Sequence, residues 1–176
     1  MAEAMKMILQ KAERSDFDEI YRQMENNFIK EEIRDRADAL AVLDEPAYAL
    51  YHLVRGGERI GFLSIWHFDT IRFAEHFVIY EDYRNRGFGG EVIEAVVRDL
   101  GPIVLEAELP DTPLSARRIG FYCRHGFFQN EIPYRQPSYR CGGEGVPMVL
   151  LSSGAPLDDP QGVVRLLYER VYGEKC

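Results

Sequence analysis

This sequence predicts a mixed α/β fold, a single sheet with helices on both faces, on three observations. Apolar runs of strand length alternate with segments whose apolar residues recur every three or four positions. The succession reads β-α-α-β-β-β-α-β-α-β-β, which no all-helical or all-strand architecture accommodates. The 176 residues are 46% hydrophobic, enough apolar mass for one domain with its own core.

The elements follow in chain order. Met7 to Leu9 is a short apolar run and a first strand. Ser15 stands where an N-cap belongs, with Asp16 and Asp18 in the first turn, and Phe17, Ile20, Tyr21, Met24 and Phe28 recur at helical spacing. Ile33, Ala37, Leu40 and Ala41 predict a second helix closed by Pro46, with Lys30, Glu31, Glu32, Arg34, Asp35 and Arg36 on a solvated outer face. Tyr48 to Val54 and Arg59 to Phe68 flank Arg55-Gly56-Gly57-Glu58, a hairpin signal. Ile71 to Tyr80 is a further strand. A helix from Glu91 to Leu100 buries Val92, Ile93, Val96 and Val97 and stops at Gly101-Pro102. Ile103 to Leu109 is a strand, Pro113 to His125 a helix, and Phe127-Phe128 the start of another strand. Asn130 to Gly145 reads as a long irregular connection and Val146 to Leu151 as the last strand. After a link at 156–160, Asp159 caps a final helix with Pro160 at its first position and Val164, Leu167, Tyr168 and Val171 on its apolar face. The organisation expected is a domain over 1–155 with a C-terminal helix over 156–176, packed on the domain or at an oligomer contact.

Composition narrows the function. A formal net charge of −8 argues against a general nucleic-acid binder, which needs a basic face, and mildly favours cationic partners. Cys123, Cys141 and Cys176 form no disulfide pattern, as expected of a reducing, cytoplasmic setting. No apolar run is long enough to span a bilayer. Met1 to Ala12 has no apolar signal-peptide core, and Met5 and Met7 leave the natural start open.

The segment Ile79-Tyr80-Glu81-Asp82-Tyr83-Arg84-Asn85-Arg86-Gly87-Phe88-Gly89-Gly90 carries the most information. An apolar strand enters an Arg-x-x-Gly-x-Gly loop that opens directly into a helix. Its glycines remove Cβ atoms, and the N–H groups of the first helical turn point outward with the positive end of the helix dipole behind them. Such a loop takes a phosphate or pyrophosphate. It is not a dinucleotide fingerprint, since Val92 replaces the third glycine, and not a Walker loop, since Glu91 follows Gly90.

One strand downstream lies Ser115-Ala116-Arg117-Arg118-Ile119-Gly120-Phe121-Tyr122-Cys123-Arg124-His125-Gly126-Phe127. Together, Tyr83-Arg84-x-x-Gly87-x-Gly89 and Ala116-x5-Tyr122-x3-Gly126-Phe127 resemble the Gcn5-related N-acetyltransferase (GNAT) family over Met7 to Leu151. The resemblance implies a mostly antiparallel sheet of about six or seven strands, with an acyl-CoA cleft between two splayed strands, Ile71–Tyr80 and Ile103–Leu109. It implies acetyl-coenzyme A as cofactor, with its pyrophosphate on Arg84, Asn85, Arg86, Gly87, Phe88, Gly89 and Gly90. The pantetheine arm would pair along Phe77, Val78 and Ile79, and Ser115, Arg118 and Tyr122 would complete the cofactor contacts. The activity implied is direct acetyl transfer to a small-molecule or peptide amine; dimers occur among resembling proteins. The chain departs from the family pattern at Glu81, where proline is frequent, near Ser115, where asparagine is, and in the extra residues Pro110 to Leu114. A silent acyl-CoA-binding module, another acyl group and a hydroxyl acceptor remain open.

An ammonium of lysine type must lose a proton before it attacks, at a cost of roughly 4–5 kcal/mol at pH 7. A carboxylate can take that proton, directly or through water. Glu106 stands in an otherwise apolar strand, where a carboxylate is costly unless partnered or used. Glu75 lies on the neighbouring strand, and Glu108 shares the face of Glu106 by alternation. Glu106 ranks first as base, then Glu75, then Glu108, and a water chain with no single base is the alternative. Tyr122 matches the family tyrosine whose hydroxyl faces the sulfur. Trp66 faces either the acceptor side or the core. Tyr134, Arg135 and Arg140 would form one wall of the acceptor pocket, an arginine holding a substrate carboxylate. Neither the spacing of His52, His67, His76 and His125 nor Cys123 beside His125 suggests a metal site or a cysteine nucleophile.

Overall fold

The computed structural model describes residues 5–173; expectations resting on Met1 and Cys176 lie outside them. Seven strands form one sheet in the order β1-β2-β3-β4-β5-β7-β6: β1 Met7–Lys11, β2 Tyr48–Arg55, β3 Glu58–His67, β4 Arg72–Ile79, β5 Ile103–Glu108, β6 Phe127–Gln136 and β7 Val146–Ser153. Every neighbouring pair is antiparallel except β4 with β5. Helices are α1 Phe17–Asn27, α2 Arg36–Ala41, α3 Phe88–Leu100, α4 Pro113–Arg124 and α5 Pro160–Leu167. Among the described residues no helix is long and apolar enough to cross a membrane.

Strand alternation divides the core in two. Phe62, Trp66, Phe73, Val104 and Leu150 pack with α1, α2 and α5. Their sequence neighbours Leu63, Ile65, Ala74, Leu105 and Leu151 pack with α3 and α4. Each strand is therefore apolar on both faces, as a sheet covered by helices requires. Gly56 and Gly57, at φ +59° and +84°, make the two-residue β2–β3 turn whose positive φ values match the strand twist.

Several local readings change. Ser15 does not cap α1; a short 3₁₀ turn, Arg14–Asp16, precedes the helix, and the Glu13 N–H donates to Asp16 Oδ2 at 3.0 Å. The second helix is shorter than its periodicity predicts. It begins at Arg36, capped by Asp35, whose carboxylate accepts from the Asp38 N–H at 2.9 Å. Ile33 and Arg34 precede it and are buried, so Arg34 does not belong to the solvated run. The connection expected from Asn130 is instead the second half of β6, which continues to Gln136 after a register break between Asn130 and Tyr134. The final helix buries Val163, Leu167, Val171 and Tyr172 while Tyr168 is exposed, because a π turn, Tyr168–Tyr172, shifts its phase.

Candidate active site

The cleft originates in a pairing that stops. Parallel β4 and β5 are in register only at Arg72↔Ile103, Phe73↔Val104 and Ala74↔Leu105. Beyond Ala74, β4 continues beside β3 and β5 beside β7, so the two strands diverge. A cleft of about 880 Å³ opens between them. Phe77, Val78 and Ile79 line it, presenting a strand edge whose backbone groups seek partners. The lining also includes Asn26, Asn27, Phe28 and Ile29, at and beyond the end of α1, a contribution with no motif in the sequence.

The glycine loop closes one end. Gly87 caps α3 at φ +79°, a conformation L side chains rarely adopt, and a Cβ there would meet open space. Among the described residues no side chain caps the helix, so its first N–H groups are available to an anion. Gly89 and Gly90 have another physical reason. A Cβ on Gly89 would lie 3.2 Å from the Phe121 ring, and on Gly90 2.7 Å from the His125 ring; these glycines admit α4 against α3. Arg84 is committed to protein contacts, its Nε donating to the Ile79 carbonyl at 2.8 Å and its Nη2 to Asn27, which also lines the cleft. Asn85 and Arg86 are exposed.

Of the α4 residues, Tyr122 is 8% exposed yet lines the cleft, its ring against Phe121 and Phe127. Burial pushes its hydroxyl up to about 12, so at neutral pH it is a phenol that can donate. Ser115 is buried and spent on the α4 N-cap, where its N–H donates to Thr112 Oγ1 at 3.1 Å. Arg118 lines the cleft with Nη1 3.7 Å from Glu108 Oε2, a half-exposed pair worth little by itself.

The carboxylates occupy the far part. Glu106 accepts from the hydroxyls of Tyr134 and Tyr172, the latter 2.8 and 2.7 Å from its two oxygens, and from Gln136 Nε2 at 2.9 Å. Burial outweighs these donors and, with the nearby Glu75 charge, raises its midpoint to about 7. Three donors on four lone-pair sites leave one site for a proton. Glu75, with a fully buried side chain, has a different environment. Arg34 Nη1 lies 2.6 Å from Oε1, Trp66 Nε1 donates to Oε2 at 3.1 Å, and Tyr139 donates to Oε1. Although burial opposes it, the Arg34 charge leads the effects that hold Glu75 below the usual carboxylate range. Glu32 also lines the cleft, its carboxyl raised by burial and then by Glu108.

Three expected acceptor residues fall elsewhere. Trp66 is core, packed on Tyr48 and Phe68 with its Nε1 spent on Glu75, and does not line the cleft. Arg135 is exposed, β6 alternation turning Tyr134 and Gln136 inward instead. Arg140 Nε donates to the Lys30 carbonyl at 3.1 Å, tying the β6–β7 loop to the segment after α1. The inward residues of that region are Tyr134, Gln136 and Tyr139. Arg34, Gln136, Tyr139 and Tyr172 were not legible as site residues. Of the residues the Tyr-Arg repeat offered, Tyr134 is turned inward, while Arg135 is exposed and Arg140 binds the Lys30 carbonyl.

Comparison with known proteins places this geometry. The family model described as "Acetyltransferase (GNAT) domain" matches residues 46–129. The solved structure named "Putative acetyltransferase from GNAT family" from Bacteroides thetaiotaomicron is 31% identical, with 96% of this chain and 99% of that one covered and a TM-score of 0.90. "Putative acetyltransferase YjbC" of Bacillus subtilis (strain 168) is 31% identical over 121 residues, 67% of this chain; the match spans 62% of that curated relative's length. A GNAT family acetyltransferase from Elizabethkingia anophelis, solved with acetyl-CoA bound, shares the fold at a TM-score of 0.53 and 17% identity, covering 84% of this chain and 97% of that one.

Proposed function

The chain belongs to the GNAT acetyltransferase family, and on that premise we propose that it transfers the acetyl group of acetyl-CoA to a primary amine, directly, in a ternary complex. The divergence of β4 and β5 beyond Ala74 carries this reading. It opens one cleft with a bare helix N-terminus at one end, an unpaired strand edge along its side, and a near-neutral carboxyl and a buried phenol inside.

The residues present fit the cofactor. The N–H groups of the first α3 turn would hold the pyrophosphate, and the open β4 edge at Phe77–Ile79 would pair with the amide-bearing arm. Bound there, acetyl-CoA supplies an acetyl group activated as a thioester. Glu106 takes the proton that the acceptor ammonium must release before its nitrogen attacks. A base with a midpoint near the working pH is best matched to that step. Tyr122 offers its O–H to the departing sulfur. Glu75, already neutralised by Arg34 and held below the usual carboxylate range, lacks the basicity for the task. Glu32, Glu106 and Glu108 all line the cleft, with Arg118 against Glu108, which favours a cationic acceptor over a neutral alcohol.

The test is calorimetric titration with acetyl-CoA, against ATP and NAD as controls, on wild type and Gly87→Val. Binding of acetyl-CoA alone, lost in the variant, supports the cofactor site. Thiol release on adding spermidine, an aminoglycoside or a lysine peptide then identifies the acceptor class. A folded protein that does not bind acetyl-CoA would falsify the assignment.

A further inference from the structure

The turn Tyr168–Tyr172 reaches Glu106, a residue lining the cleft, on the face of the sheet that α5 covers. On a regular α-helix Tyr168 and Tyr172, four apart, would share a face. The π turn over Tyr168–Tyr172 breaks that relation, leaving Tyr168 38% exposed and Tyr172 2% exposed. Tyr172 thereby places its hydroxyl within 2.8 Å of both oxygens of Glu106. Gln136 Nε2 donates to the same hydroxyl at 3.1 Å. That bond occupies a lone pair of the Tyr172 oxygen, so the phenolic proton points at Glu106. The segment is held there by Arg34, whose Nη2 donates to the Val171 carbonyl at 2.8 Å, and by Tyr139, whose ring centroid is 4.9 Å from that of Tyr172.

We propose that Tyr172 is a positioning residue for Glu106, so that the C-terminal helix is a working part of the acceptor site rather than a packed tail. This rests on the reading of Glu106 as the base. The phenol stabilises the ionised carboxylate and fixes the direction of its free lone pair. The other titratable or charged groups facing Glu106 are Tyr134 from β6, Glu75 from β4 and Tyr139 from the β6–β7 loop. Tyr134 is a second donor, Glu75 opposes ionisation, and Tyr139 spends its hydroxyl on Glu75.

The experiment follows the Glu106 carboxyl carbon by NMR in protein labelled with ¹³C-glutamate, the signal being assigned by its loss in Glu106→Gln. Tyr172→Phe should raise the Glu106 midpoint by about half a pH unit or more, while Tyr139→Phe leaves it in place. Replacing Tyr172 by 3-fluorotyrosine, a more acidic donor of nearly the same shape, should lower the midpoint and serves also if Tyr172→Phe does not fold. Midpoints unmoved in both Tyr172 variants, or moved equally by Tyr139→Phe, overturn the proposal. The titration needs no acceptor, so failure of the acetyltransferase reading is seen separately, as absent turnover with the Glu106 shift intact. Where turnover is measured, the acid limb of the kcat/KM profile should move with the midpoint and the KM for acetyl-CoA should not.

Discussion

Glu75 and Glu106 sit on neighbouring strands, β4 and β5, on the same face of the sheet, and each receives hydrogen bonds from three side chains. Their protonation nevertheless shifts in opposite directions, Glu75 below and Glu106 above the ordinary carboxylate value. The difference is one full charge. Arg34 is among the donors to Glu75; the donors to Glu106 are two phenols and an amide. In a low-dielectric interior neutral dipoles offset desolvation only partly, whereas a cation at 2.6 Å reverses it. The first carboxylate is thereby fixed in one charge state, and the second can change state near neutral pH.

The largest effect that would break this comparison is catalytic. Glu106→Gln should lower kcat/KM by about 10²- to 10⁴-fold while the acetyl-CoA dissociation constant from calorimetry stays unchanged. Glu75→Gln should lose activity only as far as it lowers the folded fraction. Equal losses at matched folded fraction would erase the distinction between them.

Next is stability. Arg34→Met leaves Glu75 buried without its counter-charge and should cost about 3–5 kcal/mol in urea unfolding. The double variant with Glu75→Gln should recover part of that. A single variant as stable as wild type would show that Glu75 does not depend on Arg34.

A third test uses pH. Between about 4.5 and about 7, folded Glu106 keeps a proton that the unfolded chain has released. Its contribution to stability is therefore lost as pH rises through that window, on the order of 3 kcal/mol in all. Glu75 has the opposite sign. Its contribution is present above 4.5 and is lost as pH falls through its depressed folded value. Unfolding free energies measured across this range should show a shallower decline toward pH 7 in Glu106→Gln, and a smaller acid loss in Glu75→Gln. A pH slope identical to wild type in both would contradict the assignment.

The smallest effect lies in the tyrosines. Tyr139→Phe should cost about 1–2 kcal/mol with little change between pH 6 and 8, because Glu75 is ionised at both. Tyr134→Phe should cost more at pH 8 than at pH 6, where Glu106 is largely protonated. Paired thermal unfolding at the two pH values separates them.

Much of this molecule was legible in its sequence, and the portion follows a physical rule. Val92, Ile93 and Val96 of α3 mark a buried helix face because that face is set by residues within one or two turns of each other. Gly56-Gly57 names its turn, and the loop at Arg84 to Gly90 its helix N-terminus, since both depend on local backbone conformation. Glu106 stood out because a charge in an apolar strand demands a reason. Arg34 did not, for it lies in a run of charged residues that resembles any solvated helix. Its burial depends on Glu75, 41 positions away, and on the Val171 carbonyl, 137 away. Tyr134 and Arg135 were both candidates, and only the β6 register after its break decided which turned inward.

The sequence by itself determined the order of strands and helices, the glycine loop and the presence of carboxylates on the strands beside the cleft, since these are written in short-range periodicity and in single residues out of place. The tertiary structure decided which carboxylate is neutralised and which stays near neutral. That choice belongs to partners brought together only by packing, Arg34 to Glu75 and Tyr172 to Glu106, 66 positions apart. Charge state in an interior is a property of the neighbourhood, and no local pattern in the chain encodes it.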